Sequence, residues 1–209
     1  MHLLKKNTEV ASGSGSKEDP YIINTPSQLN LMRLDRFAYY KLGQDIDLTY
    51  DTQDKNGLFY NDGKGWEPLP YISGYFEGNN HIISGLKINR NSTYIGLFEE
   101  APYDGVFNLH LENIDYTANG LSSYYYENRN HEYVGGIAGY AGSIHEIRNC
   151  SVSGTIYSEY DRTGGLFGES QMIIEDCVNN VNVYKYQNNF DYARWQGKVS
   201  IKLLNVLWN

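Results

Sequence analysis

A glycine-centred phrase recurs down the chain: YIGLFEE around Gly96, VGGIAGY around Gly136 and TGGLFGE around Gly165. A second phrase alternates with it: ISGLKI, VFNLHL, IRNCSV and IEDCVN, marked by Gly85, Asn108, Asn149 and Asp176. A unit that recurs at this length cannot bury its own apolar face and must stack on its neighbours. The two markers keep step. Gly136 to Gly165 is 29 residues and Asn149 to Asp176 is 27, whereas the preceding intervals are 40 and 41. Both rulers therefore place extra residues between Asn108 and Gly136. The insertion reads as TANGLSSYYYENRNH, residues 117–131, polar and aromatic with no apolar period.

After each second marker, apolar and polar residues alternate: Leu86/Ile88, Leu109/Leu111, Cys150/Val152, then Cys177, Val181 and Val183. Period two turns one face of a strand inward. Asn and Asp suit corners, because they tolerate left-handed backbone and bond their own main chain. The glycine pairs Gly135–Gly136 and Gly164–Gly165 are expected to supply positive φ and close approach at bends. Short strands between such corners fit a wide parallel β-helix coil better than a β-sandwich, whose turns need not keep two rulers in register.

The chain has 209 residues, formal net charge −8 and mean hydropathy −0.54. An acidic balance argues against nucleic acid or anionic membrane as a partner. No apolar run reaches membrane-spanning length. The opening MHLLKKNTEVA has no apolar stretch of the signal-peptide kind, so an exported chain would carry that signal elsewhere. Cys150 and Cys177 occupy equivalent places in successive repeats. Stacked in parallel they would lie about 4.8 Å apart, which allows either a buried thiol ladder or a disulfide of awkward dihedral.

Four segments follow from these signals. Residues 1–19 read as a flexible tail, with SGSGSKED a polar linker. Residues 20–70 read as an N-terminal cap: a strand, a helix over about 26–36, a second strand and a polar loop at 51–65. Thr25, Pro26 and Gln28 stand at the N-cap, N1 and N3 positions, a capping-box pattern. Leu29, Met32 and Phe37 are expected to face inward, with Leu31 and Leu34 flanking. Residues 71–183 carry the repeats, and 184–209 form a last rung or C-terminal cap, with Val199, Ile201 and Leu203 alternating.

The ordered series GSGSKEDPYIINTPSQL, YYKLGQDIDL, WEPL (66–69), GYFEGNNHIISGLKI, IGLF, VGGIAGY and TGGLFG resembles the GLUG-motif repeat proteins of bacteria. These are adhesin-like surface proteins and the non-catalytic N-terminal region of certain IgA1-cleaving metallopeptidases. The resemblance spans about residues 13–183. It departs at GIAG, where Ala138 replaces the Phe98 and Phe167 of the other copies. It implies an all-β fold, a right-handed parallel β-helix-like solenoid with a short N-terminal capping helix. It also implies an extracellular or cell-surface setting within a larger surface protein.

Candidate chemistry is sparse. A zinc peptidase needs H-E-x-x-H, but HEYVG at His131 and HEIRN at His145 each lack the second histidine. Asp45 and Asp47 share a strand face, yet His81, Glu112, Asp115 and Asp161 are scattered, without the paired carboxylates a polysaccharide lyase or hydrolase needs. The acidic turn DTQDKNG at 51–57 lacks EF-hand order. No metal, cofactor or catalytic residue is assigned. Binding candidates are Tyr124, Tyr125, Tyr126 and Arg129 in the insertion, with Tyr157 and Tyr160 in the equivalent interval of the next repeat. Tyrosine offers a flat apolar face and a hydroxyl for a glycan or a host or cell-surface protein. The expected role is a non-enzymatic repeat module for adhesion or scaffolding. The alternatives are a carbohydrate-active β-helix enzyme and a purely structural spacer.

Overall fold

The computed structural model describes residues 11–119, 132–142, 146–160, 162–171 and 173–185. Among them the chain runs through four sheets, each wholly parallel. The first stacks Tyr21–Ile23, Tyr40–Leu42, Phe76–Glu77, Val106–Phe107, Glu146–Arg148 and Ile173–Glu175, in sequence order. The second stacks Ile46–Asp47, Ile82–Ser84, His110–Ala118, Ser151–Ser158 and Val178–Lys185, with Lys87–Arg90 beside the far half of His110–Ala118. The third holds Tyr94–Ile95, Tyr133–Val134 and Arg162–Thr163, and the fourth Phe98–Glu100, Ala138–Ala141 and Phe167–Ser170. From Tyr94 onward the chain visits the third, fourth, first and second sheets in that order, three times over. The all-β, parallel character expected from the repeats is present.

The register is that of the two rulers. His110 lies opposite Ser151, and Ser151 opposite Val178. Ala138 lies between Phe98 and Phe167. Each circuit therefore places the same position over itself, and the inward residues Ile95, Leu97, Phe98, Val134, Ile137, Val152 and Ile156 join one core. The variant Ala138 is fully buried between the two phenylalanines.

The markers divide their work differently from expectation. Asn108, Asn149 and Asp176 are left-handed, at φ 51°, 53° and 52°, and Gly85 at 68°. Their amides also join across circuits: Asn149 Nδ2 donates to Asn108 Oδ1 at 2.8 Å and to Asn80 Oδ1 at 3.2 Å. The glycines of the other phrase, by contrast, do not adopt positive φ. They are required by space alone. A Cβ on Gly136 would lie 2.5 Å from Val152 Cγ1 and 2.6 Å from the Gly165 carbonyl oxygen. The circuits touch there through backbone, Gly136 N donating to Gly165 O at 3.0 Å.

The N-terminal residues cover the first edges. Segment 12–19 is not the linker its composition suggests. Ser14 and Gly15 N–H groups both donate to Asp19 O at 3.0 Å, Ile22 donates to Ser12 O at 2.8 Å, and Tyr39 to Gly15 O at 3.0 Å. The helix Pro26–Leu31 starts as expected, Gln28 N donating to Thr25 Oγ1 at 3.1 Å. The Gln28 side chain returns to Asn24 N at 2.7 Å, one residue earlier than a standard capping box. The helix gives way to a 3-10 turn at Met32–Leu34. Leu29 and Met32 are buried, but Phe37 is 82% exposed, contrary to its expected inward place. Within the expected loop 51–65, Thr49–Gln53 begins a second helical turn. Its Thr52 hydroxyl and Gln53 amide both bond Gly85 O at 3.0 Å. Leu69 N and O pair with Leu97 O and Glu99 N at 2.9 and 2.7 Å, covering the fourth sheet.

Residues 117–118 belong to the strand His110–Ala118, so the extra length begins at 119. Residues 119–132 join the second sheet to the third in one circuit where 159–161 suffice in the next.

Gly136→Ala is expected to destabilise by about 1–3 kcal/mol, the range for overpacking, in urea unfolding. Gly165→Ala should cost less, because the nearest atom there is the Asn179 side-chain oxygen, which can turn away. Asn149→Ala should cost about 1–2 kcal/mol through left-handed strain, and Asn149→Gly should recover that backbone part without the amide ladder.

Candidate binding surface

The tyrosines sort into three environments. Tyr116 and Tyr160 are core residues: Tyr116 donates to Gly136 O at 3.0 Å, and the 2% exposed Tyr160 donates to Asn91 Oδ1 at 3.2 Å. Burial, reinforced by Glu132, pushes the Tyr160 hydroxyl well up. Tyr160 is thus not the exposed binding residue expected from the sequence. The strand ends at Ser158, whose hydroxyl accepts the Tyr160 N–H at 3.0 Å and turns the chain inward.

Tyr157 is exposed at 37%, as expected, but it stacks on Tyr184 with ring centroids 5.0 Å apart and 17° between planes. A second column runs through the third sheet. Tyr133 stacks on Tyr94 at 5.3 Å and 12°, and the Arg162 guanidinium lies 5.1 Å over its other face. Arg162 also donates to the Tyr133 hydroxyl at 3.1 Å and pairs with Glu169. Parallel register puts these side chains over one another, so each ring gives at least one face to a neighbour. Tyr124, Tyr125, Tyr126 and Arg129 lie outside the described residues.

A third setting was not legible in the sequence. Tyr71 and Tyr103 meet edge to face at 6.4 Å and 69°, on corner loops with no recurring marker.

The acidic candidates have structural partners. Asp45 Oδ1 accepts Ile82 N at 3.0 Å and faces His81 Nδ1 at 3.1 Å; these bonds, the Ile82 one foremost, hold its carboxyl below the usual range. Asp47 Oδ1 accepts Thr49 N at 2.8 Å, and Thr49 likewise lowers its carboxyl. Asp115 faces Lys87 at 3.6 Å. Glu112 is an exposed strand residue, and Asp161, His131 and His145 lie outside the described residues. In the 51–57 turn, Asp54 Oδ1 accepts Asn56 N at 2.8 Å. No group of three metal-ligating side chains occurs among the described residues. Cys150 and Cys177 are free, buried thiols, with Cys150 N donating to Cys177 Sγ at 3.4 Å. The thiol ladder is the form present. The bond to Cys177 and burial hold the Cys150 thiol protonated, well above its ordinary range.

The WEPL segment is an anchor. Trp66 is fully buried and donates through Nε1 to Leu97 O at 3.3 Å, while Arg90 Nε donates to Trp66 O at 2.8 Å and Arg33 Nη2 to Glu67 O at 3.0 Å. Nearby, burial, then Glu100 and Glu67, raise the Glu99 carboxyl against the opposing pull of Arg33 and Arg36. A raised carboxyl costs stability when ionised and nothing once protonated in both folded and unfolded states. Glu99→Gln is therefore expected to raise the urea midpoint at neutral pH, with the gain fading as pH falls below the ordinary glutamate range.

Residues 130–157 match the family model of the GLUG motif. The chain is 38% identical over 118 residues to a protein of Evansella cellulosilytica named as a candidate Gly-rich membrane protein, covering 53% of this chain and 13% of that one. It is 34% identical over 95 residues to halomucin of Haloquadratum walsbyi, covering 44% of this chain and 1% of that one. The chain thus spans a small part of the curated relatives it matches. The crystal structure of a candidate immunoglobulin A1 protease from Bacteroides ovatus is similar at TM-score 0.52 and 20% identity, over 83% of this chain and 61% of that one. That likeness is one of fold. No helix among the described residues is long and apolar enough to cross a membrane. The chain carries a GLUG motif within a repeat array, and the resemblance read from its ordered phrases stands.

Proposed function

We propose that this chain is a non-enzymatic repeat module of a larger cell-surface or secreted protein, a right-handed β-helix-like solenoid that displays or scaffolds a ligand-binding surface. The observation that carries the reading is the stacking order: each sheet adds its strands in sequence order, as an array built by repetition does. The names of the relatives, a membrane protein and a halomucin, support a surface setting. Engagement of Asp45 and Asp47 by backbone amides supports a structural over a hydrolytic role for them.

Ligand contact is assigned to the longer connection 119–132, with Tyr124, Tyr125, Tyr126 and Arg129 as the contacting residues. Its partner is a glycan or a host or cell-surface protein. Intact-cell labelling and protease accessibility are expected to find the parent protein outside the cell, and a protein sealed inside would defeat the surface reading. Replacing Tyr124, Tyr125 and Tyr126 together by Ala is expected to reduce binding on glycan and host-protein arrays with far-UV circular dichroism unchanged. Undiminished binding would remove the edge from the proposal, and turnover of a polysaccharide lost in Asp45→Asn would overturn the non-enzymatic reading.

A further inference from the structure

Three loops lie over one another at one corner of the stack: 35–38, 71–74 and 102–105. Ser73 N donates to Arg36 O at 2.8 Å, Tyr103 N to Ile72 O at 2.7 Å and Asp104 N to Gly74 O at 3.3 Å. Each loop presents one aromatic ring to water. Phe37 is 82% exposed, Tyr71 37% and Tyr103 36%. These rings lie outside the core, and a ring as exposed as Phe37 gains little from burial, so folding alone does not account for it.

Their geometry differs from that of the tyrosine columns. In the columns the rings lie nearly parallel, 12° and 17°, and cover one another. Tyr71 and Tyr103 stand edge to face at 69°, so the ring that presents its edge has neither face against its partner. The hydrogen-bonded loops hold this aromatic surface at fixed spacing, which lowers the ordering cost of binding. A carboxylate flanks it: Asp104 follows Tyr103 on a loop bonded to Gly74 O, and burial, then Tyr103, Glu100 and Asp104, raise the Tyr71 hydroxyl. Asp104 Oδ2 accepts the Tyr39 hydroxyl at 2.9 Å, which fixes the carboxylate beside the rings.

Rings with open faces beside an anchored carboxylate suit a ligand with flat C–H faces and many hydroxyl donors. A pyranose has both: its C–H face packs on the ring, and its hydroxyls donate to carboxylate oxygens in charge-assisted bonds. Uronic, sialic or sulfated chains would meet Asp35, Glu100 and Asp104 against Arg36, the one cation in the three loops, within a chain of formal net charge −8, a balance that disfavours them. We infer that the Phe37–Tyr71–Tyr103 corner binds a neutral polysaccharide chain. This rests on reading the chain as a ligand-binding surface module, and it names a site separate from the connection 119–132.

The test is affinity electrophoresis and calorimetry of the full chain with uncharged glucans, mannans and galactans, and with alginate and a sulfated glycan as anionic probes. At least one neutral polymer is expected to bind. Tyr71→Ala and Tyr103→Ala should weaken that binding about tenfold or more, as for central aromatic contacts, and Phe37→Ser should weaken it less. Tyr50→Ala, at a 59% exposed tyrosine of the Thr49–Gln53 turn, should leave it unchanged. Circular dichroism and thermal midpoints check that the variants fold, and Tyr71→Phe, which keeps the ring, should retain most of the binding if stacking is the contact. Neutral-polymer binding that is indifferent to Tyr71 and Tyr103 but lost in the Tyr124–Tyr126 variant sinks the corner and keeps the broader reading. Binding only of anionic polymers overturns the corner proposal. Failure to bind any polymer overturns it too, and absence of protein ligands as well would remove the ligand-binding reading with it.

Discussion

Parallel pairing between equivalent residues of successive circuits governs the rest of the structure. Once Ala138 must lie between Phe98 and Phe167, and Ser151 between His110 and Val178, each side chain meets whatever the same position carries in the next circuit. A column tolerates only residues compatible with that neighbour at about 4.8 Å. Amides satisfy this by bonding each other, as Asn108 and Asn149 do. Thiols satisfy it at Cys150 and Cys177, and rings satisfy it at Tyr94 and Tyr133. Charges satisfy it by alternating, as where Arg148 faces Glu175 across the register at 3.0 Å.

Much of this was legible as spacing. Residue intervals survive folding unchanged when the same position is laid over itself, so two rulers in the sequence became two registers. The roles of the marker residues were half legible. Asparagine and aspartate at the corners declared their left-handed backbone. Glycine did not declare which of its two uses applied: Gly85 uses the free φ, whereas Gly96, Gly136 and Gly165 use the missing Cβ. Segment 12–19 was misread for a related reason. Its serines and glycines have the composition of a linker, but its backbone is tied to itself at Asp19 and to Ile22 and Tyr39, which composition does not report.

Tyr157 and Tyr160 were separable in the sequence by parity alone. They are three residues apart in similar sequence, yet one is in water and the other in the core. Alternation buries Val152, Ile156, Ser158 and Tyr160 and turns Tyr157 outward, and the Ser158 side-chain bond to Tyr160 N–H carries that order past the strand end. Exposure alone is also insufficient for a tyrosine to serve as a contact. A ring packed face to face with its copy has already used the surface that a ligand would need, so ring orientation separates Tyr157 from Tyr71 more sharply than their equal exposure does.

The uniform direction of the sheets has a mechanical consequence. Interstrand bonds run from circuit to circuit, so a pull along the stack loads one circuit's bonds before the next and opens it in sequence, as a zip parts tooth by tooth. A pull along the strands must instead shear a whole strand's bonds together, and His110–Ala118, Ser151–Ser158 and Val178–Lys185 are the longest such seam. The fold is therefore anisotropic: compliant along one direction, stiff across it, with the resistance concentrated in the second sheet.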